Sequence, residues 1–141
     1  MDGVLAQMSD IKVTFTSTIR QAEETETFTH QANGQLTQQN GITRVTYQED
    51  ATTVVKLVIK ADDVIIKRSQ DEQNYSLLHF NSYETKACKM IAAGYQTDLT
   101  SKTKLLKFFT KNAATKELQI EYDLFSGLYL IGNYTVTLLF S

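Results

Sequence analysis

The chain has 141 residues, 42% hydrophobic and 21% charged, with a formal net charge of -2, which is one domain's worth of ordinary globular composition. A chain of this size buries roughly 70% of its unfolded surface and needs no staple to hold a core. The near-balanced charge lacks the footprint of a nucleic-acid binder, no window approaches the ~18 apolar residues of a membrane-spanning helix, and the single cysteine, Cys88, has no intramolecular disulfide partner.

The first residues, MDGVLAQMSDIK, carry no basic region, long apolar run or small-residue cleavage site, so a soluble, cytoplasmic setting is expected. Proline is absent. Sheet proteins often blunt exposed strand edges with proline, so this chain must use charges, bulges or ring closure instead.

Residues 1–9 read as a loose lead-in and residues 10–141 as a single β-barrel domain. From Asp10 the pattern is strand: Ile11, Val13, Phe15 and Ile19 alternate with polar residues, which places one apolar row on one face. A polar turn follows around Arg20–Glu24. Residues 25–32, TETFTHQA, form a second strand of weak apolar content, and Asn33-Gly34 reads as a turn. Asn40-Gly41 fits a two-residue type I′ hairpin turn, in which both central residues need positive φ. The return strand spans residues 42–49, with Val45, Tyr47 and Glu49 on one face. In the next, residues 52–60, Val55, Leu57 and Ile59 share a face and Lys56 lies on the other.

Asp62-Asp63 turns the chain into a short strand, residues 64–68, and residues 74–80 form another. Residues 86–91 and 95–101 read as strands separated by Gly94. Residues 103–111, TKLLKFFTK, fit a helical face or a strand row; threonine and aromatic content favours strand. The final stretch alternates most strongly. Leu118, Ile120, Tyr122 and Leu124 precede Tyr134, Val136, Leu138 and Phe140, and the two rows pair as a closing hairpin whose last strand returns toward the first. Nine to eleven short strands with hairpin-like connections predict an all-β, antiparallel up-and-down barrel.

The stretches NGITRVTYQED (residues 40–50), TTVVKLVI (52–59), VIIKRS (64–69), LLHF (77–80), LQIEYDLFSG and NYTVTLLF resemble the YwiB-like family of small bacterial proteins of unknown function. The order and spacing match from about residue 10 to residue 140. Ser69 stands where the family usually has Gly, and Lys89-Met90-Ile91 replace its usual Tyr-x-Thr pair before Gly94. The resemblance implies a calycin-like, lipocalin-type β-barrel of about 8–10 strands. It singles out Tyr47, Glu49, Lys56 and Arg68 as a speculative ligand-binding set, in which Glu49 pairs with Arg68 or Lys56. Inside a barrel such a pair would fix a polar head group; on the rim it would be an ordinary salt bridge.

His30, His79 and Cys88 have no close spacing for a metal site, and no catalytic motif, cofactor motif or phosphate loop stands out. Lys102, Lys104, Lys107, Lys111 and Lys116 read as solvated lysines protecting an edge strand, with an anionic or lipid surface as the sharper alternative. The expected function is therefore non-enzymatic: a barrel binding a small apolar or amphipathic ligand, without metal, cofactor, nucleic acid or membrane span. The alternative is a structural or interaction protein with a filled barrel, acting through a partner or as a homodimer. The bulky row on the closing hairpin argues for filling.

Overall fold

The computed structural model describes residues 7–141 and is all β among them. Ten strands run β1 Gln7–Gln21, β2 Glu24–Gln39, β3 Ile42–Gln48, β4 Val54–Ile59, β5 Asp63–Asp71, β6 Asn74–Asn81, β7 Lys86–Ala92, β8 Tyr95–Asn112, β9 Thr115–Ser126 and β10 Tyr129–Phe140. Each pairs antiparallel with its sequence neighbours, and β10 returns to β1, so the meander closes into a barrel. No helix is long and apolar enough to cross a membrane among the described residues.

The period-two rows decide which side chains enter. Val13, Val45, Leu57, Ile59, Val64, Leu118, Ile120 and Leu138 meet in the middle of the barrel and are buried. The closing hairpin behaves as expected: Ile120, Tyr122, Leu124, Val136, Leu138 and Phe140 are buried, and Tyr134 packs against them. At the Asn40-Gly41 turn both residues have positive φ, 54° and 77°, as a type I′ hairpin requires.

Three expectations change. Asn33-Gly34 is not a turn: β2 runs straight through it. Gly34 is there because the backbone of β3 comes too close for a side chain; a Cβ at 34 would lie 2.6 Å from the Thr46 carbonyl oxygen. Residues 95–101 and 103–111 are one long strand, β8, which absorbs irregularities between Thr103 and Leu105 and between Thr110 and Asn112. Finally, β1 begins at Gln7, so only residues 1–6 of the expected lead-in lie outside the described residues.

The wall is not uniformly stitched. β2 pairs with β3 only over Gly34–Gln39, while its pairing with β1 extends to Glu24. β6 and β7 share only Tyr75–Leu77 against Lys89–Ile91. Where those two strands splay, side chains replace the ladder: the Cys88 thiol accepts the His79 backbone N–H at 3.3 Å, and the Ser101 hydroxyl donates to the His79 carbonyl. β8 beyond Ser101 pairs only with β9.

Candidate functional site

The centre of the barrel is filled, but one end is hollow. That end carries the β1–β2, β3–β4, β5–β6, β7–β8 and β9–β10 turns. Between the strand ends lies a cavity of about 370 Å³. Its wall is mostly apolar and aromatic, with Phe15, Ile66, Leu78, Phe80, Tyr122 and Tyr134 prominent; Ser17, Ser76, Glu49 and Arg68 supply polar groups. Tyr122 is sandwiched, stacked on Tyr134 at 5.0 Å and tilted against Phe80 at 4.4 Å between ring centroids. A wall of offset rings gives a rigid, apolar surface.

The polar centre is an ion pair. Arg68 Nη2 lies 2.9 Å from Glu49 Oε1, with the two side chains 39% and 17% exposed. β5 delivers Arg68 on the same inward row as Val64 and Ile66, and Glu49 continues the inward row of β3. The guanidinium also rests over the Phe15 ring at 5.6 Å, a cation–π arrangement. Its Nε–H is buried without an acceptor among the described residues.

Tyr47 stands behind this pair and does not line the cavity. Burial pushes its phenol up to about 12, Arg68 pulls the other way, and Glu49 adds to the rise. Burial also raises the phenols of Tyr122 and Tyr134. All three are neutral hydroxyls at physiological pH, able to donate a hydrogen bond but not to act as bases.

Of the residues singled out from sequence, Tyr47, Glu49 and Arg68 come together and Lys56 does not. Lys56 is exposed on the outer wall, opposite Thr46 and Lys67. The reason is the strand period: Val55, Leu57 and Ile59 point in, so Lys56 must point out. The aromatic wall was visible in the sequence only as core. Tyr122 and Tyr134 belong to the bulky row expected to fill the barrel; that row fills the middle and leaves this end open.

His30, His79 and Cys88 form no ligand cluster: Cys88 meets His79 only at its backbone. His30 pairs across from Phe15 and stacks on Phe28 at 6.4 Å. His79 points outward, with Nε2 2.8 Å from Asp63 Oδ1. Burial works to raise the Asp63 carboxyl, but hydrogen bonds from Asn81 and His79 outweigh it and hold it below the usual range. No group of three or more His, Cys, Asp or Glu among the described residues could hold a metal ion.

The basic stretch lies on β8, except Lys116, which is on β9. Lys104 pairs with Asp123 at 3.2 Å and Lys111 with Glu117 at 3.5 Å. Since β8 beyond Ser101 has no second strand partner, these lysines do stand along an open edge. A more open hollow of about 510 Å³ at the opposite end, among Gln38, Asn40, Lys60 and Phe108, brings no such constellation together.

Large apolar side chains left exposed gather at the hollow end: Phe28, Met90, Tyr95, Leu128, Tyr129 and Leu130 lie at strand ends and turns there. They give the mouth an apolar rim.

The fold matches the crystal structure of the ywiB protein from Bacillus subtilis, with a TM-score of 0.81 over 96% of this chain and 94% of that one, at 14% sequence identity. At that identity the likeness speaks for the fold alone, and it bears out the YwiB resemblance read from the sequence. No curated protein matches the chain. A family profile spans residues 13–138, nearly the whole barrel, and the chain belongs to that family, described as a domain of unknown function, DUF1934.

Proposed function

We propose that this chain is a non-enzymatic, calycin-like binding protein whose hollow end takes one small amphipathic molecule. One observation carries the reading: the Glu49–Arg68 pair lines a mostly apolar cavity at the end of a filled barrel. A pocket of this size and make-up, mostly apolar with a few placed polar groups, suits a small organic ligand. The apolar body would lie against Tyr122, Phe80 and Leu78. An oxygen-bearing head group would meet the exposed part of the Arg68 guanidinium, which lines the cavity. A cytoplasmic setting goes with this reading, supported by one buried cysteine with no disulfide partner.

The test is fluorescence titration with anilinonaphthalene sulfonate, an apolar body bearing an anionic head. One molecule per chain is expected, with Arg68→Met weakening binding about tenfold, roughly 1.4 kcal/mol, and Leu78→Trp, which fills the cavity, abolishing it. Binding unchanged in both variants overturns the reading.

A second reading, an interaction protein acting through a partner or as a homodimer, is favoured by the unpaired edge of β2 over Glu24–Asn33.

A further inference from the structure

We propose that two copies of this chain associate through the free edge of β2, antiparallel and in a register centred on Thr27. The inference rests on the second reading above and names its surface and partner.

The edge is real and long. β1 covers one side of β2 from Glu24 to Gln38, but β3 covers the other only from Gly34 onward. The two-residue turn after Gln21 makes Gln21–Glu24 the first hydrogen-bonded pair, so even-numbered residues of β2 bond to β1. Thr25, Thr27, Thr29 and Gln31 therefore turn their N–H and C=O groups to the open side. An exposed edge of this kind is a template for another strand unless something guards it.

The molecule guards its other open edge and not this one. β8 beyond Ser101 carries Lys102, Lys104, Lys107 and Lys111, of which Lys104 and Lys111 are ion-paired to Asp123 and Glu117 of β9. Residues 24–33 of β2, ETETFTHQAN, hold no lysine, arginine, proline or glycine, and their pairing with β1 keeps one register throughout, with no bulge to twist the edge away. The only charges are Glu24 and Glu26, which would repel an acidic strand and leave an apolar one unmatched.

A second copy meets one of them, Glu24, and sets neither glutamate against another. Antiparallel pairing about Thr27 sets Glu24 across from the second copy's His30, and Glu26 across from its Phe28. On the other face it sets Thr27 against Thr27 and Thr25 against Thr29, twice by symmetry. Cross-strand threonine pairs are favourable. The first of these pairs, Glu24 with His30, sets a carboxylate, an acceptor, across from an imidazole whose Nε2 has no partner among the described residues. In this register the second copy's turn reaches Gln31–Ala32, beside the β3–β4 turn that follows Gln48. The overlap is ~24 Å of strand, a small contact, so association should be reversible and concentration-dependent.

Sedimentation velocity across a concentration series tests this. Expected is a monomer–dimer equilibrium that Thr27→Lys, which sets like charges opposite each other, and Thr27→Pro, which removes a donor facing the open side, each weaken about tenfold or more. Thr37→Lys, on the half of β2 already paired with β3, should leave it intact, and circular dichroism should show all three variants folded. The register is read by cysteine: Thr27→Cys should crosslink to itself on mild oxidation, because hydrogen-bonded antiparallel pairs stand ~5.5 Å apart at Cα, whereas Thr29→Cys, four residues out of register with itself, should not. A dimer indifferent to both Thr27 variants, or crosslinked equally at 29, overturns this inference and leaves the homodimer reading standing. A monomer at every concentration overturns both, without touching ligand binding at the hollow end.

Discussion

Gly34 on β2 sits directly across the ladder from Tyr47 on β3, with no room between them for a side chain: a Cβ at 34 would stand 2.8 Å from the Tyr47 Cβ and 2.6 Å from the Thr46 carbonyl. The contact couples the barrel wall to the candidate site, because Tyr47 lies behind Arg68. Gly34→Ala must push β3 outward. Overpacking of this kind costs about 1–3 kcal/mol, which should appear as a lower urea midpoint with an unchanged slope. Probe binding at the hollow end should weaken as well, since Arg68 loses part of its backing.

The Glu49–Arg68 pair is half sheltered, so it belongs between the weak surface pairs and the strong buried ones. Glu49→Gln keeps the shape and removes the charge. A loss of about 1–2 kcal/mol is expected. A double-mutant cycle with Arg68→Met isolates the coupling; a coupling energy near zero would show that the two side chains act independently.

Alkaline stability should report Tyr47. Its phenol is raised from 10.0 to about 12 in the folded chain, first by burial. A raised folded value means the contribution is fully present below about pH 10 and is lost as pH rises through about 12. Tyr47→Phe should flatten this alkaline fall in unfolding free energy while Tyr122, also raised by burial, keeps part of it. An alkaline limb identical to that of the unsubstituted chain would contradict the assignment.

At the β6–β7 splay, Ser101→Ala strips the His79 carbonyl of its hydroxyl donor in a fully buried setting. The Cys88 thiol, 3.7 Å from the same carbonyl, remains as a weak donor, so a loss of about 1 kcal/mol is expected. Hydrogen exchange should then speed up locally on β6 and β7, which share only a short ladder, more than on β9 and β10.

Acid unfolding should involve Asp63. Hydrogen bonds from Asn81 and His79 overcome the effect of burial and hold its carboxyl below 3.8. A depressed folded value contributes stability above the unfolded value that is lost as pH falls through the folded one. Asn81→Ala should therefore move the acid transition to higher pH, read by circular dichroism.

The sequence by itself determined the strand rows, the meander order and the closing of the last strand on the first. Those follow from local rules: side chains alternate with period two, and Asn-Gly turns join neighbours. The YwiB resemblance also singled out Tyr47, Glu49, Lys56 and Arg68; inward rows bring Tyr47, Glu49 and Arg68 together, and the strand period turns Lys56 outward. What the tertiary structure alone decided is where the barrel is full and where it is hollow. Tyr122 and Tyr134 have the same pattern as Ile120 and Leu138, yet they line a cavity because they fall nearer the hollow end of the barrel. Likewise Asn33-Gly34 carries the same local signal as Asn40-Gly41. Only the close passage of β3 reveals that one glycine makes a turn and the other makes room.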